Sequence, residues 1–165
     1  MRREVLTIPH TTLHSPASPV TGIDGEVLDV CRDLVDTMRA AGHSVGVAAP
    51  QIGVALRAFC VDVTGHPKAD SCHGEIVLVN PVVLTASDPV IGREGCMSVP
   101  DLTGDVSRAS TVVVRGTAPT GEVRVVEANA FEARALQHEI AHLDGKVFLD
   151  EVVSARRVFR RKTYR

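Results

Sequence analysis

The sequence predicts an α+β fold, and three observations carry the prediction: a helical run before residue 41, short apolar segments between 56 and 126, and a long helical stretch over 128–143 holding two histidines four positions apart. In the first run Val27, Leu28, Cys31, Leu34, Val35 and Met38 recur at helical spacing. Asp24 is a suitable N-cap and Gly42 a stop, so a helix is expected over 24–41. Residues 1–22, with Pro9, Pro16 and Pro19 among Ser and Thr, read as an irregular arm, and the small apolar residues of 44–54 around Pro50 as a loop or irregular strand. Strands are expected over 56–63 and 76–79, the second ended by Asn80-Pro81, with a polar loop over 64–75. Segments 111–115 and 122–126 alternate about Ala118-Pro119-Thr120-Gly121, a hairpin signature. The helix over 128–143 closes at Gly145.

A chain of 165 residues is expected to form one domain over 1–165, able to bury a core without disulfides. With 44% hydrophobic and 23% charged residues and a net charge of −2, the whole molecule is not an electrostatic trap for nucleic acid. The start lacks an apolar stretch suited to a secretion signal, and no run approaches the roughly 20 apolar residues of a membrane span. Cys31, Cys60, Cys72 and Cys96 form no C-x-x-C pair and read as reduced thiols in a cytoplasm. Cys60 reads as core, Cys72-His73 as a solvated loop, and His10, His14, His43 and His66, with no partners at ligand spacing, as ordinary residues.

The chemistry sits in His138-Glu139-Ile140-Ala141-His142. Imidazoles four apart on a helix share one face and can hold a divalent metal, while the intervening glutamate can serve as general base. Such a centre needs about three protein ligands and an open position. A third histidine at 148 is excluded, because that residue is Phe148. Glu151 follows too closely for a second helix to deliver it, and Asp144 and Asp150 sit at or beyond the helix end. Upstream, Cys96 in Glu94-Gly95-Cys96-Met97-Ser98-Val99-Pro100 can approach a metal closely beside Gly95, as a thiolate with two neutral imidazoles. Gln51, in Val45-Gly46-Val47-Ala48-Ala49-Pro50-Gln51-Ile52-Gly53, offers an amide donor to a developing oxyanion.

These three segments, in this order and at these separations, resemble the three motifs of the peptide deformylases, and the likeness extends from about residue 5 to 150 through Val5-Leu6-Thr7-Ile8-Pro9, Pro19-Val20 and Val79-Asn80-Pro81. The resemblance implies small antiparallel or mixed sheets around a central metal-bearing helix, and removal of the N-formyl group from the formylmethionine of new polypeptides in a bacterial cytoplasm. It implies Cys96, His138 and His142 as ligands of one divalent metal, Fe(II) physiologically, with Zn(II), Ni(II) or Co(II) able to replace it. Glu139 is implied as base and then acid, Gln51 and the backbone N–H of Met97 as oxyanion donors, and Gly46, Val45, Glu94 and Gly95 as substrate contacts. Val45, Ile91, the stem of Arg134, Leu136 and His138 are expected to form an apolar pocket for the methionine side chain. Loss of the Gln51 amide is expected to cost about two to three decades in rate, one oxyanion donor being worth about 2.7–4 kcal/mol.

Two departures stand out. Ala141 replaces an aspartate of the family motif, with Arg108 the expected orphaned partner, and Ser44 replaces a glycine. They leave open a divergent paralogue that binds peptides with weak or no turnover, or a related amide hydrolase. Met97, in place of a leucine, is mild, since its role lies in the backbone. The last ten residues hold Arg156, Arg157, Arg160, Arg161, Lys162 and Arg165, expected as a basic tail over about 154–165 that is either a solvated end or a phosphate-binding segment docking on ribosomal RNA. A monomer without membrane attachment is expected.

Overall fold

The structure, a computed structural model, describes residues 1–162. Helix α1 spans Gly25–Ala41; the Asp24 carboxylate accepts the amide of Val27 at 2.9 Å, and Gly42 ends the helix at a φ of 73°. Strands β1 (Gly46–Ala48), β2 (Ala58–Val61), β3 (Ile76–Cys96), β4 (Val99–Thr117) and β5 (Val123–Asn129) lead into helix α2 (Ala130–Leu143), and β6 (Val158–Arg160) closes the described chain. The strands form one antiparallel sheet in the order β1-β2-β3-β4-β5, with β6 on β4.

Period-2 alternation on β2 and β3 explains how the two helices sit. Phe59, Val61, Ile76 and Leu78 pack with Leu136, Ile140 and Leu143 of α2. Their neighbours Ala58, Cys60, Val77 and Val79 pack with Cys31, Leu34 and Met38 of α1. Cys60 is therefore core, as expected, and α2 is central: Glu132, Ala133, Ala135, Leu136 and residues Glu139 to Leu143 are all buried. The arm is held rather than loose. Leu6 and Ile8 donate to the carbonyls of Gln51 and Ser98, and Ala17 to that of Leu143. Gly145, at a φ of 79°, completes the end of α2: its amide and that of Lys146 bond back to His142 and Ala141. A Cβ there would lie 2.7 Å from the Ser15 carbonyl carbon, so the arm and helix end meet only at a glycine.

The principal departure from expectation lies between 80 and 110. Asn80-Pro81 does not end the strand. Asn80 adopts a φ of 51° at a register shift, where its amide side chain both accepts from and donates to the Val20 backbone at 2.8 Å. A bulge tolerates a proline that a regular ladder would reject. Beyond it β3 runs to Cys96 with β4 as its only hydrogen-bonded neighbour among the described residues, and residues 82–91 are exposed on both faces. The expected strand over 56–63 is the shorter β2; the expected hairpin is the β4–β5 pair, with β4 longer at both ends and β5 shifted to Val123–Asn129. The described part of the C-terminal segment is tied to the sheet rather than loose: β6 pairs with Leu102 to Gly104, and Arg157 bonds Asp105 at 2.7 Å. Arg165, counted in that tail, lies outside the described residues. No described helix is long and apolar enough to cross a membrane.

Candidate active site

Three elements converge beside α2. At the end of β3 a register shift between Gly95 and Cys96 turns the Cys96 thiol toward the helix. A 3₁₀ turn over Ala49–Ile52 presents Gln51, and α2 presents His138, Glu139 and His142. The thiol of Cys96 and one ring nitrogen from each histidine lie within 4.8 Å of one another. Cys96 Sγ and His142 Nε2 are 3.3 Å apart. A tetrahedral centre with bonds of about 2.3 Å to sulfur and about 2.0–2.1 Å to nitrogen separates the two donors by about 3.5 Å. The donor set and its spacing therefore fit one divalent ion. Asp144 and Asp150, open as ligands on sequence, are engaged elsewhere: Asp144 pairs with Arg57 at 3.0 Å, and Asp150 accepts the Val147 amide at 2.9 Å.

Behind His138 stands Glu94. Its Oε1 lies 2.8 Å from His138 Nδ1 and 3.0 Å from Arg108; its Oε2 lies 2.9 Å from Arg108 and 2.7 Å from Arg134. Each carboxylate oxygen accepts about two hydrogen bonds, so all its acceptor capacity is used. Glu94, expected to contact substrate, borders the cavity, and its oxygens orient His138 and neutralise two arginines. Burial raises the acid's pKa, yet bonds from His138 and Arg108 outweigh burial and hold it well below the usual carboxylate range. Arg108 is not orphaned either. Besides Glu94 it has a second carboxylate, Glu151, at 2.8 Å.

Burial opposes a charged His138, but bonding to Cys96 and Glu94 prevails and raises its pKa; burial lowers that of His142, aided by the charge of His138. A ligand imidazole is neutral and a ligand thiol deprotonated, so filling the site displaces a proton from this cluster. Burial pushes Glu139 up to about 7, against the opposing pull of His138. That value suits a group that takes a proton and returns it near neutral pH. Glu139 Oε2 is buried without a hydrogen-bond partner among the described residues, as is His142 Nδ1. A partner for the glutamate oxygen, such as a water, must come from outside the described residues.

Gln51 is fixed at both ends of its amide: Oε1 accepts from the Ala48 amide at 2.9 Å, while Nε2 donates to Ser98 Oγ at 3.1 Å and Cys96 Sγ at 3.4 Å. Gly46 packs on Glu139, and an added Cβ would lie 2.7 Å from its Oε1. Ser44 does not disrupt this strand; its hydroxyl donates to the Gly46 carbonyl at 2.9 Å. Val45, Gly46, Gly95, Met97, Arg134 and His138 line one cavity of about 260 Å³. Leu136 and Ile91, expected in that lining, are not in it. Leu136 is fully buried in the core under the sheet, and Ile91 is 54% exposed on the β3 edge. Phe131, Ala135, Arg93 and Arg161 line the cavity instead. Phe131 and Ala135 share the helix face of His138 and were legible from i, i+4 and i, i+7 spacing. Arg161, brought in just after β6, was legible only as part of the basic C-terminal cluster, with nothing in the sequence to place it at the cavity.

Fold and donor set together define a metal-dependent hydrolase built on a central helix. A sequence model of the family described as polypeptide deformylase matches residues 2–158, and the chain belongs to that family. It is 40% identical over 149 residues to Peptide deformylase 1 of Bacillus cereus, covering 90% of this chain and 91% of that one. It is 43% identical over 150 residues to the peptide deformylase of Halothermothrix orenii, covering 91% and 93%. Among solved structures, the Ehrlichia chaffeensis peptide deformylase in complex with actinonin superposes with a TM-score of 0.87 at 29% identity, covering 94% of this chain and 91% of that one. The Met-Ala-Ser-bound enzyme of Acinetobacter baumannii gives 0.83 at 31%, covering 92% and 99%. The expected fold class and family hold, and the chain is a deformylase; the paralogue and other-hydrolase readings are not favoured.

Proposed function

We propose that the chain hydrolyses the formamide of N-terminal formylmethionine on newly made polypeptides, with Cys96, His138 and His142 holding the metal. The single observation that carries this reading is the convergence of one thiol and two ring nitrogens within 4.8 Å. An ion held there supplies a Lewis acid and brings the pKa of water from 15.7 to about 7 in favourable cases. Glu139 takes the proton of the attacking water at a carboxylate oxygen and returns it to the leaving amine. Gln51 Nε2 and the Met97 amide stabilise the oxyanion, with Gln51 pre-set by its bonds to Ala48 and Ser98. The backbones of Gly46 and Gly95 pair with the substrate chain as in strand addition, Val45 borders it, and the methionine side chain lies against Phe131, Ala135 and the Arg134 stem.

Fe(II) is the proposed physiological metal, although a thiolate with two imidazoles also suits zinc, nickel and cobalt. The reading includes one catalytic domain over 1–165, a monomer in a bacterial cytoplasm, and a ribosome contact through the basic C-terminal residues. Bacterial relatives support the location, and the exposure of Arg156, Arg160 and Lys162 supports the contact. The test is formate release from formyl-Met-Ala-Ser by protein loaded anaerobically with Fe(II), with metal analysis. Turnover with one metal per chain is expected; stoichiometric metal without formate release would overturn the reading.

A further inference from the structure

We infer that Arg161, delivered by the C-terminal strand, is a specificity-determining cation at the active-site mouth that engages a carboxylate on the substrate downstream of formylmethionine. This rests on the formyl-Met reading above and adds what the enzyme prefers beyond it.

Arg161 follows β6, and its amide bonds the Asp101 carbonyl at 2.9 Å, so its backbone is tied to β4. The side chain crosses the tip of the β3–β4 hairpin. One guanidinium nitrogen donates to the Cys96 carbonyl at 3.2 Å, and that same nitrogen lies 2.7 Å from where a Cβ on Gly95 would be. A chain paired along Gly95 therefore runs beside this group. Arg161 also lines both cavities of this face: the one holding the catalytic residues, and a larger one of about 650 Å³ that shares His43 and Met97 with the first and continues to Arg2 and Arg3. The junction is the natural exit for a peptide whose formyl end sits at Gln51 and Cys96.

Charge decides what Arg161 recognises there. Most of the neighbouring arginines are already paired: Arg93 and Arg157 with Asp105, Arg108 with Glu94 and Glu151, Arg134 with Glu94, and Arg3 with Asp33, while Arg2, unpaired among the described residues, lines only the second cavity. Arg161 has no carboxylate within 4 Å among the described residues. A guanidinium carries five N–H donors in a planar fork matched to a carboxylate, and among the described residues one bond to Cys96 leaves most of them without a partner. In the first cavity Glu139 is buried and the Glu94 oxygens are taken; in the second, Glu4 is the one carboxylate among the described lining residues, against Arg2, Arg3 and Arg161. The face is cationic overall. Its ligand is a carboxylate from either of two sources: an Asp or Glu side chain at the second or third residue, or the free C-terminus of a short formyl peptide.

The test compares kcat/KM for formyl-Met-Ala-Ser amide with formyl-Met-Asp-Ser amide, formyl-Met-Ala-Asp amide and formyl-Met-Ala-Ser bearing a free carboxylate, at low and high salt. For the wild type, at least one carboxylate substrate is expected to be favoured over the neutral amide by about threefold to tenfold, with the preference shrinking as salt rises. Which substrate gains identifies the source. The ratio should fall to about one in Arg161→Gln, invert in Arg161→Glu and return in Arg161→Lys; a purely structural role would lower all substrates together and leave the ratio unchanged. A ratio of one in the wild type, or a wild-type ratio in Arg161→Gln, overturns the inference. Failure of the wild type on every formyl peptide, neutral amide included, overturns the formyl-Met reading and this inference with it.

Discussion

Glu94 Oε1 lies 2.8 Å from His138 Nδ1, and this contact fixes which face of the imidazole meets the metal site. With Nδ1–H directed at a carboxylate, Nε2 keeps its lone pair for the donor cluster. The same carboxylate takes both Arg108 and Arg134, so the hairpin strand β3, its partner β4 and the central helix meet at one buried anion.

Replacing Glu94 with Gln should loosen both structure and site. Metal affinity is expected to fall about 10- to 100-fold, the usual cost of losing the carboxylate that orients a ligand histidine. Stability should fall by on the order of 3 kcal/mol, because a buried Arg108 keeps only Glu151. Competition with a chromophoric chelator and a denaturant melt report the two effects. Unchanged metal affinity would mean that His138 needs no such orientation.

Glu139→Ala should separate binding from chemistry. Glu139 is not among the three grouped donors, so metal stoichiometry should stay at one per chain. Turnover should drop by about 10²- to 10⁴-fold, the range of a lost general acid–base. Metal analysis and formate release on the same sample check this; loss of metal with loss of rate would instead make Glu139 a ligand or a structural support for one.

Gly46→Ala tests the packing that positions Glu139. The new methyl would lie 2.7 Å from Oε1 and 3.0 Å from both Cδ and Cγ, on a buried side chain. The carboxylate must move, and misplacement by about 1 Å can cost about 100-fold. The expected outcome is a large fall in kcat with metal retained. Wild-type kcat would show that the glutamate reaches its working position from elsewhere.

What the sequence disclosed, and what it hid, follows from how local each signal is. Asp24, Gly42 and the apolar spacing between them specify α1 within a single segment, and the histidine pair specifies the chemistry of α2 in five residues. The outer half of β3 was illegible because residues 82–91 have one neighbouring strand among the described residues and no buried face, hence no alternation to read. Asn80-Pro81 has the composition of a turn, and only the contact of Asn80 with Val20, 60 positions away, makes it a bulge. In the site, the motif residues lay in plain view, whereas the partners of Glu94 come from β4 and α2 and could not be inferred from spacing.

Acid stability should depend on Asp105, which joins Arg93 of β3 to Arg157 of the C-terminal segment at 2.7 Å each. Bonds from Arg93 and then Arg157 depress its folded pKa. A depressed carboxyl stabilises the fold above its unfolded value of about 3.9 and loses that contribution as pH falls through the folded value. Asp105→Asn should therefore lower the melting temperature near neutrality and narrow its gap to the wild type as pH falls below about 4. A gap independent of pH would assign the effect to packing rather than charge.

Ala141→Asp, the change that would restore the family residue, is expected not to improve this chain. Arg108, its expected partner, already gives its guanidinium to Glu94 and Glu151. Ala141 is 7% exposed beside His142 on the central helix, so an added carboxylate would enter a buried site whose arginine is taken. Burying an imperfectly paired polar group costs about 1–3 kcal/mol, and alanine is also the better helix former. The variant should melt lower with no gain in metal retention. Pairing the change with Glu151→Ala vacates one face of Arg108, and the double variant should recover part of the loss. Recovery of stability or metal retention by Ala141→Asp alone would show that the pairing of Arg108 with Glu94 and Glu151 leaves room for a further carboxylate.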